Sequence, residues 1–244
     1  MRAIVARLRA EYPDARTSLT FHTPLELLVA TVLSAQSTDV RVNQVTPGLF
    51  AKYATAQAYV DAPLDALEQD IKPLGFYRTK AEYLHGTAQQ LVDRFGGEVP
   101  RTMEELTSLP GIGRKTANVV LGNAYGIVEG IVVDTHVARV SRRLGLTMEQ
   151  DPAKIEQDLM ALVPREAWLD FSNLLISHGR AVCQARVPTL PELTSPHWVQ
   201  IAALLPRSRL GRPARNYRLM VEGILWVMRT GGSWRALPDP FGPW

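Results

Sequence analysis

The stretch LPGIGRKTANVVLGNAYG, Leu109–Gly126, sets two glycines around one isoleucine, then an Arg-Lys pair, then an apolar run with helical spacing. Thr102 and Glu105 upstream have the spacing of a capping box, so a short helix through MEELTSL is predicted to stop at Pro110. RKTANVVLGNAY starts a new helix, and the local plan is helix, hairpin, helix. Gly111 and Gly113 permit backbone conformations closed to other residues and leave their N–H groups open to an anion. The helix end that follows also favours negative charge, through its unpaired amides and its dipole. An isolated Gly-x-Gly is only a tight turn. A nucleotide P-loop is excluded, because no strand precedes the glycines and the Gly-x-x-x-x-Gly-Lys spacing is absent. Backbone amides read no bases, so the expected ligand is a nucleic-acid backbone gripped without sequence preference. Arg114 is either a further cation for that backbone or a solvated surface residue.

A lysine taken at random is a solvated surface cation. Position gives Lys115 a second reading: it lies in the first turn of the new helix, beside the phosphate cradle. An unprotonated amine held close to a sugar C1′ can displace a base and form a Schiff base. Further on, IVEGIVVDTHVARVSRRLGL gives a short β-branched run and then Asp134 at the start of another helix. Asp134 is equally an ordinary N-cap or a carboxylate that stabilises an oxocarbenium-like sugar and orients a lysine or water. His136, two residues on, reads first as a hydrogen-bonded packing residue and second as a pocket residue.

Around these motifs the chain reads as helix after helix with short polar breaks. TPLELLVATVLSAQS opens with Thr23 as N-cap, Pro24 at the first helical position and Glu26 in capping-box spacing. Its Leu25, Leu28, Val29, Val32 and Leu33 share one face, which predicts a core helix. Further helices are predicted at about residues 38–52, 56–62, 64–71, 78–95, 102–108, 114–125, 134–144, 152–162 and 166–178. The fold class is all-α. With 244 residues there is enough chain for one large domain or two modest ones, and no segment approaches the roughly 18 apolar residues of a membrane span. The N-terminus lacks the apolar core of a secretory signal and reads as a helix of a cytoplasmic protein.

Charge and composition change near Val187. Up to that point there are 20 Lys+Arg and 21 Asp+Glu; beyond it lie 7 basic and 3 acidic residues, with four of the five tryptophans and eight of the seventeen prolines. RVPTLPELTSPHW is a turn-rich connector at this boundary. The basic pI of 9.1 therefore belongs to the tail. Cys183 is the only cysteine, so the chain alone can build neither a disulfide nor a four-thiolate metal site.

LPGIGRKTANVVL followed by VDTH, with VLSAQSTDV upstream and HGRAVC downstream, resembles the endonuclease III family of helix-hairpin-helix DNA glycosylase/lyases over about Arg2 to Arg186. The resemblance implies a base-excision repair enzyme that removes oxidised pyrimidines and cleaves at abasic sites. It makes Lys115 the Schiff-base nucleophile and Asp134 the essential carboxylate. It also implies that the damaged nucleotide leaves the stack and that the gap is filled. Gln36 of SAQSTD is one filler by similarity, with Asp39 as a pocket or loop-shaping residue. Phe76 of LGFYRTKAEYL is the other, core packing being the equal alternative. The family resemblance further implies two lobes, residues 21–128 forming six helices and residues 1–20 joining 129–187, with duplex DNA in the cleft between them.

The family's four-cysteine loop for a 4Fe–4S cluster is broken here. Cys183 stands at the first ligand position and the other three are missing, so no cluster and no other metal is expected. Beyond it, LTSPHWVQIAALLP, GRPARNYR and GILWVMRTGGSWRALPDPFGPW resemble the N-terminal leader of an insertion-sequence transposase, over about residues 193–244. A mobile element that landed in a repair gene, with the reading frame running on into it, accounts for the join. Trp198, Ile201, Leu204 and Leu205 share one predicted helical face, and Ile224, Leu225 and Met228 another. Arg207, Arg209, Arg212, Arg215 and Arg218 read as a solvated basic linker or a nonspecific DNA contact. The expectation is a bacterial, cytoplasmic, nucleoid-associated monomer acting on double-stranded DNA with damaged bases or abasic sites. A monofunctional glycosylase fits badly with a lysine at the hairpin, and the alternative of another class is a non-catalytic DNA-binding remnant.

Overall fold

The computed structural model describes residues 1–185, 198–199 and 217–230. Among them every regular element is helical: α1 (Arg2–Glu11), α2 (Pro24–Leu33), α3 (Asp39–Lys52), α4 (Ala56–Asp61), α5 (Leu64–Ile71), α6 (Tyr77–Phe95), α7 (Met103–Thr107), α8 (Arg114–Tyr125), α9 (Thr135–Arg143), α10 (Pro152–Leu162), a 3-10 turn (Arg165–Ala167), α11 (Trp168–Ala181) and α12 (Tyr217–Thr230). The boundaries follow from local chemistry. Thr23, Thr38, Thr55, Thr102, Asp134 and Asp151 each accept a first-turn N–H with the side chain and so start α2, α3, α4, α7, α9 and α10. Both expected capping boxes form only halfway: Glu26 turns back to accept from the His22 N–H at 2.6 Å, and Glu105 accepts the Thr102 hydroxyl proton at 2.7 Å. Gly96 and Gly126 close α6 and α8 in the left-handed conformation, which costs glycine nothing.

The main apolar cluster runs from Leu19 to Leu121 and centres on α2. Leu27, Leu28, Val29, Ala30, Val32 and Leu33 are all buried while Leu25 is only partly so, which means that α2 is enclosed on every side rather than along one stripe. Helices α6 and α8 close over it. A second buried set follows the hairpin, with Ile131, Val137, Val140, Ile155, Leu159 and Phe171 at its heart. The N-terminal helix joins this second set through the Arg9–Asp170 ion pair at 2.6 Å. Gly122 lets α8 and α11 approach closely, since a β-carbon there would lie 2.5 Å from Leu169 Cδ1. The β-branched run before Asp134 forms no strand and lies in the irregular connection from α8 to α9.

Two compact units are present, Met1–Ser177 and His178–Trp244, and their division falls inside α11, ahead of the connector expected near Val187. In the second unit the N–H groups of Val182 and Cys183 both donate to the His178 carbonyl, ending α11. Its other described helix, α12, buries Val221 and half-buries Ile224 and Leu225. Arg218 corrects the linker reading: it lies within α12 and pairs with Glu222 at 3.1 Å. Ile201, Leu204, Leu205, Arg207, Arg209, Arg212, Arg215 and the side chain of Met228 lie outside the described residues.

Candidate active site and nucleic-acid interface

The hairpin between α7 and α8 is held from below by α6. Thr87 Oγ1 donates to the Pro110 carbonyl at 2.9 Å, and the proline ring lies beside Gly86, where an added β-carbon would be in ordinary contact at 3.6 Å. Gly111 is in the left-handed region at φ +72°, and a β-carbon there would lie 2.7 Å from Cγ of the Tyr83 ring. Both its conformation and its surroundings require glycine. Gly113 departs from expectation: its φ of −94° and ψ of 172° are extended backbone open to any residue, and a β-carbon would meet nothing within 4 Å. Within the hairpin the Ile112 N–H is used, donating to the Leu109 carbonyl at 3.2 Å, whereas the N–H groups of Gly111 and Gly113 have no partner among the described residues. No side chain caps α8 either. The result is an exposed cluster of unpaired amides at the positive end of a 12-residue helix.

The two cations that follow the cradle behave differently. Lys115 is exposed and makes no hydrogen bond or ion pair with any described residue. Arg114 lies at the surface, and its guanidinium is committed within the protein, gripping Glu156 of α10 with Nε at 2.9 Å and Nη2 at 3.1 Å. The pair raises the already high pKa of Arg114, mainly through the hydrogen bond to Glu156. Nη2 also reaches the Glu129 carbonyl at 3.4 Å, and Asn118 Nδ2 donates to Glu156 Oε1 at 3.1 Å. Gly130 completes the cluster, since a β-carbon there would overlap Glu156 Oε1. The first turn of α8, which carries Lys115, is thereby tied to the segment that leads to Asp134. Glu156, Asn118 and Gly130 were not singled out from the sequence: Glu156 lies 42 residues from Arg114 on a separate helix, and nothing local to either marks the pair.

Asp134 takes up its capping role, with Oδ1 accepting from the Val137 N–H at 2.8 Å. Its other carboxylate oxygen has no partner among the described residues and stays half-exposed. One carboxylate thus both fixes the start of α9 and offers an oxygen to the surroundings. His136, in the first turn of α9, is half-buried and paired with Arg139 Nη2 at 3.1 Å, in line with its packing reading.

Gln36 and Phe76 are the only non-glycine residues in the left-handed region among those described, at φ 53° and φ 56°. Each such residue costs about 1 to 2 kcal/mol relative to ordinary backbone. Phe76 is 65% exposed, which removes the core-packing alternative, and Gln36 is exposed as well. Asp39 starts α3 just after the Gln36 loop, where an acidic first turn suits the helix dipole. Two loops therefore present strained, exposed side chains on the same unit as the amide cluster, Lys115 and Asp134.

Comparison with known proteins agrees with the class that these features define. Residues 29–165 match the HhH-GPD superfamily of base excision DNA repair proteins. Endonuclease III of Synechocystis sp. is 52% identical over 194 residues, covering 80% of this chain and 89% of that protein. Endonuclease III of Escherichia coli K12 is 42% identical over 185 residues, covering 76% and 87%. A solved endonuclease III–DNA covalent intermediate superposes with a TM-score of 0.74 at 45% identity, over 78% of this chain and 91% of that one. The chain belongs to the endonuclease III family and is a DNA-binding, base-excision repair glycosylase and abasic-site lyase. Separately, residues 193–244 match an IS4/5-family transposase, in line with the resemblance of the tail. No described helix is long and apolar enough to cross a membrane.

Proposed function

We propose that Lys115 is the nucleophile and Asp134 its catalytic partner, acting on double-stranded DNA that carries oxidised pyrimidines or abasic sites. The observation that carries this reading is the contrast at the start of α8, where Arg114 is bound on Glu156 and Lys115, one residue on, is exposed with no partner among the described residues. In the reaction the Lys115 Nζ lone pair forms a bond to C1′ as the bond from C1′ to the base breaks, and the base leaves carrying a proton. The amine loses its proton, the sugar ring opens, and an imine joins Nζ to C1′. Removal of a C2′ proton then expels the 3′ phosphate and cuts the strand. The partner-free oxygen of Asp134 stabilises positive charge on the sugar while Val137 holds the carboxylate in place. The hairpin amides bind a phosphate beside the extruded nucleotide, and Gln36 and Phe76 occupy the space it leaves. Support for a covalent route comes from the solved relative, an endonuclease III trapped as a covalent intermediate with DNA.

The family's 4Fe–4S cluster needs four thiolates, and the whole sequence contains one cysteine. The donor set does not fit, so the protein is proposed to work without the cluster, as a monomer in the cytoplasm beside the bacterial nucleoid. Borohydride reduction on an abasic duplex tests the reading: the full-length protein should form a covalent adduct and Lys115→Ala should form none. An adduct that survives Lys115→Ala assigns the nucleophile elsewhere, and no adduct with the unaltered protein removes the lyase mechanism proposed for this site.

A further inference from the structure

Lys80 is 3% exposed, and its ammonium has one hydrogen-bond partner, Ser37 Oγ at 2.8 Å, with no ion-pair partner among the described residues. Burial lowers its pKa, as expected for a cation without a counter-charge. Such a group is a costly occupant of a core position, because an ammonium taken out of water is repaid only by good pairing. Its location gives it a use. Its backbone N–H donates to the carbonyl of Phe76 at 3.0 Å, forming the first turn of α6, while its side chain reaches the residue next to Gln36. The loops also lie close together, since a β-carbon added to Gly75 would stand 3.8 Å from the Gln36 carbonyl oxygen. One residue therefore bonds Phe76 through its backbone and the neighbour of Gln36 through its side chain, joining loops whose left-handed, exposed residues are 40 positions apart in the chain.

We propose that Lys80 is a positioning residue that latches the Gln36 loop to the Phe76 loop, so that the two side chains enter the duplex as one unit. This rests on the reading of Gln36 and Phe76 as the residues that fill the vacated space. A lysine suits the task because only a long side chain reaches Ser37 from the first turn of α6, and its terminal donor fixes direction as well as distance. The two loops are then ordered before DNA arrives, and the ordering entropy is not charged to the extrusion step.

The test uses full-length protein and a duplex with 2-aminopurine beside an abasic site, whose fluorescence rises as the nucleotides unstack. Gln36→Ala and Phe76→Ala should each slow the rise. In the unaltered background their double variant should lose less than the product of the two single losses, because either change already disables the shared unit. Lys80→Met should slow extrusion about tenfold, equivalent to about 1.4 kcal/mol, and make the two alanine effects multiply independently. Its melting temperature should not fall, because a buried lone cation has been replaced by an apolar chain of similar length. Ser37→Ala, which removes only the acceptor, should uncouple the pair in the same way. Coupling that persists in both Lys80→Met and Ser37→Ala overturns the latch alone. Extrusion unaffected by both alanine substitutions overturns the gap-filling reading and the latch with it.

Discussion

Arg114 and Lys115 are consecutive cations with opposite fates, and their chemistry explains the split. A guanidinium presents a flat fork that matches a carboxylate, so Arg114 closes on Glu156 with two bonds, whereas the lysine, a flexible point charge, remains available. Glu156→Ala should cost about 1 to 2 kcal/mol by chemical denaturation, less than a fully buried pair because Arg114 is half exposed. Gly130→Ala should act through the same cluster, displacing the Glu156 carboxylate and costing about 1 to 3 kcal/mol. Both variants should trap more slowly with borohydride than their abasic-DNA affinity alone explains, because the first turn of α8 loses its tie to the segment before Asp134. The motif around Lys115 was readable because hairpin, cation and helix start are contiguous. Lys80 left a fainter trace, a lysine on the same stripe of α6 as Leu84, Ala88 and Leu91, where an apolar residue is the rule.

At the scale of the element, the helix starts were legible because threonine, aspartate and proline mark them chemically. What the sequence does not display is which start is left open. Helix α8 lacks the side-chain cap that its neighbours α7 and α9 have, and a β-carbon on Gly113 would meet nothing within 4 Å among the described residues. Gly113→Asp should therefore fit its extended backbone, supply the missing cap and hold or raise the melting temperature by the equivalent of a few tenths of a kcal/mol. The same carboxylate would occupy the amides and repel phosphate, so affinity for an abasic duplex should fall, and a variant that binds DNA unchanged removes the cradle. Elsewhere, Lys52 and Tyr53 at the end of α3 bond Asp70 of α5 at 2.6 and 2.7 Å. Partial burial pushes the Asp70 carboxyl up, but those two hydrogen bonds prevail and hold it below its ordinary value. A carboxyl lowered in the folded state stabilises the fold above its unfolded pKa, about 4, and loses that contribution as pH falls through the lowered value. Asp70→Asn should flatten the acid limb of the stability curve, which thermal melts at a series of pH values will show.

At the scale of the whole molecule, residues 29–165 match base excision DNA repair proteins, residues 193–244 match an IS4/5-family transposase, and the whole sequence holds one cysteine. The shift in charge, tryptophan and proline made the change visible in the sequence. The division between compact units was not visible there, because it falls within α11, whose helical pattern runs through without a break. Metal analysis of the purified protein should find no stoichiometric iron, and Cys183→Ala should leave borohydride trapping unchanged. Four irons per chain would require ligands other than cysteine and would overturn the cluster-free proposal.

The exposed phenylalanine and glutamine are already bent into an unfavourable backbone before any DNA is present. A prong that does not yield probes the stiffness of what it presses against: sound base pairs resist, and a pair weakened by damage gives way. If the two side chains fill the vacated space as proposed, much of the choice between healthy and injured DNA would be made by the duplex itself, before any group on the protein has inspected the base.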